Sequence, residues 1–273
     1  MPEWKVTSLP RNDLPAFTLA EGATHIAMLD KCRKNAFTLA EVLITLGIIG
    51  VVAAMTLPSL IQNKTEKDTV VRLKKSYSVI ENAFRLAVNE HGEIQNWGWA
   101  MSTDSNASTV SADILSKIIP YLKVSKKCLN QEGCFIKNNY YKFLSGENHM
   151  QYSPNEYGKS ATILADGTIL ILRTYSPDRY ALGYIYVDVN GNKSPNTYGK
   201  DMFQFIITKN GLEPTGNVNG YIHTLNHCSL KGSDSSNSGG CTAWVLYKEN
   251  MDYLHKQVCW DGYQNGVNCS VFN

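Results

Sequence analysis

The 273-residue chain predicts an α+β fold: one long N-terminal helix, half membrane-spanning and half amphipathic, packed on an antiparallel β-sheet head held by disulfides. Three observations carry this. An apolar run at 36–61 passes without a break into a helical stripe, the periodicity changes from helix to strand beyond about residue 140, and an even number of cysteines lies beyond the run.

The apolar run, AFTLAEVLITLGIIGVVAAMTLPSLI, has the length of a spanning helix, about 20 residues at roughly 1.5 Å each. It holds one charge, Glu41. A carboxylate inside a membrane segment is costly, so a lone one reads as functional. Lys31, Arg33 and Lys34 flank the amino side, and the positive-inside rule keeps that end cytoplasmic and exports the chain beyond Ile61. Gly50 and Ala54 lie four apart on one helical face and permit close helix approach. Pro58 removes a backbone donor and loosens the helix locally. Three plainer readings of the run are an ordinary single-pass anchor, a secretory signal cut before Met55, after Val52 and Ala54, and a buried core helix of a soluble protein, which the length and the basic flank disfavour.

The order Ala36-Phe37-Thr38-Leu39-Ala40-Glu41, behind basic residues and ahead of an apolar helix, resembles the processing site of type IV pilins and type II secretion pseudopilins. The resemblance implies that a prepilin peptidase cuts between Ala36 and Phe37 and methylates the new terminus. Glu41 is then the fifth mature residue and Pro58 the twenty-second, matching the family's Glu and Pro, and Gly50 falls where the family has Gly. Ala36 departs from the usual Gly before the cut. The resemblance further implies a filament built with other copies and other pilins, in which Glu41 of one subunit meets the Phe37 ammonium of the next. It also implies inner-membrane assembly machinery as a partner, with the head in the periplasm or at the cell surface.

Residues 1–36 read as a leader that is removed. Within it Ala16 to Glu21 repeats AFTLAE with no apolar span behind it, and Met28 offers an alternative start. The domain order expected is leader 1–36, filament-core helix 37–61, amphipathic continuation 62–91 and head 92–273. In the continuation Val70, Leu73, Tyr77, Ile80, Phe84 and Ala87 recur at helical spacing, and His91-Gly92 ends it. Residues 93–109 read as a loop and 112–122 as a shorter helix. Strands are expected at 140–144, 161–165, 168–173, 180–189 and 202–208, with Asp166-Gly167 a hairpin turn and Asn210-Gly211 another turn. Residues 233–240 read as a loop, and 241–255 as a short helix or strand burying Trp244, Leu246, Tyr247 and Leu254.

Cys32 leaves with the leader, so Cys128, Cys134, Cys228, Cys241, Cys259 and Cys269 remain. An exported domain with an even count favours disulfides. Fifteen pairings are open, and short spacing favours Cys128 with Cys134, Cys228 with Cys241, and Cys259 with Cys269. No C-x-x-C pair points to zinc, and His223 and His227 read as loop histidines.

Asp188, Asn190 and Asn192 place oxygen-bearing side chains at alternate positions, with Asn196 and Asp201 beyond them, a pattern suited to calcium. It is similar to the opening of an EF-hand loop, but Lys193 stands where Gly is wanted and the closing Glu is absent. The competing reading is tight Asx turns. Motifs for acyl, phosphoryl, dinucleotide or zinc-protease chemistry are missing, which argues against an enzyme. The net charge of +2, and Lys123, Lys126 and Lys127 as a short solvated patch, argue against nucleic acid as partner. A tethered binding module that never polymerises and a secreted enzyme remain as alternatives.

Overall fold

A computed structural model describes residues 38–135, 141–148, 158–177, 180–216, 228, 239–256 and 258. The chain divides into two compact units, 1–52 and 53–273.

Helix α1 runs Leu39–His91. In the first unit its described side chains are all exposed, and Leu43, Ile44, Leu46, Ile48 and Ile49 are 59–63% accessible. This is the one helix among the described residues long and apolar enough to cross a membrane.

The second unit holds the head, where α1 contributes a buried stripe of Val70, Leu73, Ile80, Ala83, Phe84 and Ala87. Tyr77, half-buried, stacks on Phe205 with ring centroids 5.5 Å apart and planes 5° from parallel. The helix stops at Gly92, whose φ of +77° suits a left-handed cap and whose N–H reaches the Val88 carbonyl at 2.9 Å. Helix α2, Ala107–Ile118, lies beside it in the same core through Ile114, Leu115 and Ile118 and extends by a 3-10 turn, Ile119–Tyr121. It starts earlier than the expected 112, and a second 3-10 turn, Ile94–Asn96, interrupts the expected loop at 93–109.

The sheet is a six-stranded antiparallel meander in sequence order: β1 Val124–Leu129, β2 Lys159–Leu164, β3 Ile169–Thr174, β4 Gly183–Asp188, β5 Met202–Thr208 and β6 Gly211–Pro214. Asp166 and Gly167 make the β2–β3 turn, with Gly167 at φ +88° and Asp166 Oδ1 accepting from the Thr168 N–H at 3.2 Å. Alternate residues feed two cores. Leu170, Leu172, Ile185, Val187, Phe203, Phe205 and Ile207 face α1 and α2. Ile169, Ile171, Tyr184, Tyr186, Met202 and Ile206 join a second core with Cys128, Cys134, Phe135, Tyr141 and Tyr198. Each large apolar side chain so buried contributes about 1.5–3 kcal/mol relative to exposure.

Several expectations are corrected. The described part of 140–144 forms no strand: Lys142 makes isolated bridges to Asn148 and Thr197, and the segment covers the second face of the sheet. The strand expected at 180–189 is shorter, Gly183–Asp188. β1 and β6 were not expected, because β1 is rich in lysine and β6 is four residues ending in proline, features that fit edge strands. Near the carboxyl end α3 spans Thr242–Lys248, where Trp244 is buried, Leu246 half-buried and Tyr247 exposed on the outer face. Leu254 is half-buried.

Salt bridges tie the head end of α1 to distant segments: Lys75 to Asp166 at 2.7 Å, Lys74 to Glu249 at 2.6 Å, and His255 Nε2 to Glu66 at 2.9 Å. They are mostly exposed and contribute about 0–1 kcal/mol each. The core, not the ion pairs, holds the helix to the sheet.

Candidate functional site

Ala36 and Phe37 lie outside the described residues, and the description begins one residue after the expected terminus. There Thr38 caps α1. Glu41 Oε2 accepts from the Thr38 N–H at 2.8 Å and from the Thr38 hydroxyl at 2.9 Å, while the Glu41 N–H donates to Thr38 Oγ1 at 3.2 Å. This is a capping box, and the Thr-x-x-Glu spacing in the sequence was its available signal. Gly50 sits in the helix with open space where a Cβ would be, and Pro58 lies inside the helix.

The predicted oxygen-rich loop joins β4 to β5, and the structure brings four of its five residues together. Asp188 is wholly buried and Asp201 is 2% exposed. The Tyr141 hydroxyl donates to Asp188 Oδ2 at 2.7 Å, and the Asn190 N–H donates to Asp188 Oδ1 at 3.2 Å. Asp201 accepts from the Asn196 N–H at 2.8 Å, the Thr197 N–H at 2.6 Å and Asn190 Nδ2 at 3.2 Å. Asn190 therefore bridges the two carboxylates. The loop is closed at its neck by the Val189 N–H on the Asp201 carbonyl at 2.9 Å. Asn192 is exposed on the turn, outside this group.

Burial, and secondarily the charge of Asp201, hold the Asp188 carboxyl well above the usual carboxylate range, against the hydrogen bond from Tyr141 and those from the Asn190 and Gly191 backbone. Burial raises Asp201 as well, opposed by the Thr197 and Asn196 N–H groups. Burial also pushes the Tyr141 hydroxyl far up, with Asp188 adding to it. Spacing gave no sign of Tyr141, which arrives from a segment 47 residues away. Among the described residues no three His, Cys, Asp or Glu converge, so the donors here are carboxylate and amide oxygens.

Among the described residues Cys128 bonds Cys134 and Cys228 bonds Cys241, both between buried residues. Cys259, Cys269, His223 and His227 lie outside the described residues. A groove of about 900 Å³ runs between α1 from Ser78 to Asn89 and the β5–β6 turn at Lys209 to Leu212. Its lining contains no histidine or cysteine, and Glu81, Arg85 and Lys209 give it mixed charge.

No curated protein and no solved structure matches the chain. Two family models do. Residues 31–57 match the prokaryotic N-terminal methylation motif, the signature of type IV pilins and pseudopilins. That motif and the one long apolar helix fit a single-pass, membrane-anchored, pilin-like protein. Residues 59–250 match a second model, which takes up directly after the motif and covers most of the chain. The chain thus belongs to the family described as a family of unknown function, DUF6613, and carries the pilin-type methylation motif ahead of it.

Proposed function

We propose that this chain is a structural subunit of a type IV pilus or type II secretion pseudopilus. Prepilin peptidase cuts between Ala36 and Phe37, the helix holds the subunit in the cytoplasmic membrane with its head outside, and subunits then polymerise through that helix. The observation that carries this reading is the methylation motif at 31–57 running into a helix whose apolar side chains, from Leu43 to Ile49, are exposed among the described residues. Such a surface needs lipid or neighbouring helices around it. In the polymer the Glu41 carboxylate supplies a counter-charge to the Phe37 ammonium of an adjacent copy, other pilins share the same packing, and Gly50 permits close approach. The role is mechanical rather than enzymatic.

Intact-mass and N-terminal sequence determination on protein from the native membrane tests this. A start at methylated Phe37 is expected. A start at Met55 would mean a secreted head, and a retained leader would mean a plain anchor.

A further inference from the structure

We infer that the groove between α1 and the β5–β6 hairpin binds an extended segment of another polypeptide, added as a strand beside β6. Hydrogen-bonding groups face each other across it. On α1, Ser78, Asn82, Arg85 and Asn89 follow at steps of four, three and four residues, which sets them in one row along the helix, and all four are exposed and line the groove. Arg85 donates to Asn82 Oδ1 at 2.7 Å, which leaves the Asn82 NH2 to donate to a ligand. The opposite wall is β6, the last strand of the sheet among the described residues.

A second observation comes from the register of β6. The Thr215 N–H donates to the Gln204 carbonyl at 3.3 Å, and the pairing continues through Phe205 with Pro214, Ile206 with Glu213 and Ile207 with Leu212. Antiparallel pairs alternate between bonded and non-bonded, so Glu213 turns its backbone groups to β5 while Leu212 turns its N–H and C=O outward. Pro214, with no N–H to give, takes the next outward position. The outward pair thus belongs to Leu212, a residue of the groove lining. A strand edge of this kind adds an extended chain by main-chain hydrogen bonds.

The lining selects the occupant. Asn82 and Asn89, like Gln95 and Asn210 elsewhere in the lining, each carry a donor and an acceptor, the same two groups that a peptide backbone presents in alternation. Glu81 and Glu93 stand against Arg85 and Lys209, so the groove has no single-sign field to draw in a phosphate or a polycation. Phe84, Ile94 and Leu212, almost fully buried, and half-buried Val88 give it an apolar floor for every second side chain of a strand. From Ser78 to Asn89 the helix rises about 16 Å, the length of about five extended residues. The partner is therefore an extended segment with apolar side chains at alternate positions and little net charge.

The test uses the mature full-length protein in detergent and a fluorescein-labelled, end-blocked heptapeptide of alternating valine and threonine, read by fluorescence polarisation against empty micelles. Saturable binding is expected. Methylating the valine nitrogens, or the threonine nitrogens, should weaken it at least tenfold, since one set faces β6 and the other the row on α1. Asn82→Ala should weaken it about threefold or more, Asn89→Trp, which fills the groove from an exposed position, should abolish it, and Gln131→Ala, exposed elsewhere on the head, should leave it unchanged. These are surface positions, and an unaltered thermal unfolding curve confirms that each variant is folded. No binding, equal binding of both methylated peptides, or undiminished binding to Asn89→Trp would overturn the inference. Binding that falls as the protein is concentrated would assign the groove to a second copy and overturn it too. None of these results bears on processing at Phe37.

Discussion

Glu41 and Thr38 bind each other reciprocally, two hydrogen bonds reaching Glu41 Oε2 and one returning to Thr38 Oγ1. The residue that resembles a filament contact is therefore also the residue that starts the helix. In a lone subunit Thr38 satisfies the carboxylate, and in the proposed filament a neighbour's ammonium would compete for the same oxygens.

The two duties separate by substitution. Glu41→Gln keeps a capping side chain but no charge, and Glu41→Ala loses both. Both are expected to cut filament incorporation at least tenfold, measured by co-fractionation with sheared filaments, and both should leave the disulfide-bonded head folded. Normal incorporation of Glu41→Gln would show that capping alone is needed.

The Tyr77–Phe205 stack joins α1 to β5, the strand beside edge strand β6, and Phe205 is fully buried. Phe205→Ala should cost about 3–5 kcal/mol by cavity formation, whereas Tyr77→Phe, which keeps the ring, should cost under about 1 kcal/mol. Denaturant titration of the mature protein measures both.

The disulfides close loops of different size, with sequence separations of 6 and 13. Loop-closure entropy assigns about 2 kcal/mol to Cys128–Cys134 and about 3 kcal/mol to Cys228–Cys241. Replacing each pair by serine should rank the two in that order in equilibrium unfolding. The reverse order would point to native-state packing of Cys134 as the larger effect.

Alkaline pH should unfold the head. Tyr198 and Tyr253 are buried, and burial raises both hydroxyls well above the usual tyrosine range. A raised folded-state value means the folded chain holds its protons longer than the unfolded one. The resulting stability is complete below about pH 10 and lost as pH rises beyond it. Tyrosinate absorbance should appear together with loss of helix signal; ionisation of both hydroxyls in a still-folded head would contradict this.

The long helix was the most legible part of the sequence, since length, one charge and a stripe from Val70 to Ala87 each point to it. The hairpin at Asp166-Gly167 was equally plain, because only a few residues satisfy its backbone. What escaped was the second layer. β4 reads Gly-Tyr-Ile-Tyr-Val-Asp and is buried on both faces, so its alternation is between two cores and not between core and water. Residues such as Tyr141 and Tyr198 that build the far core come from irregular segments, which carry no period to recognise. The Asp188–Asp201 pair was visible as a spacing, but which asparagines joined it depended on how the loop folded back through Val189.

The strand order has a kinetic consequence. Among the described residues every strand pairs with the one just before or after it in sequence, so no strand waits for a distant partner still to be synthesised. A chain synthesised from its amino end can zip its sheet strand by strand as it lengthens, which keeps unpaired edges short-lived. The lysines of β1, the first edge to appear, protect that edge during the interval before β2 arrives.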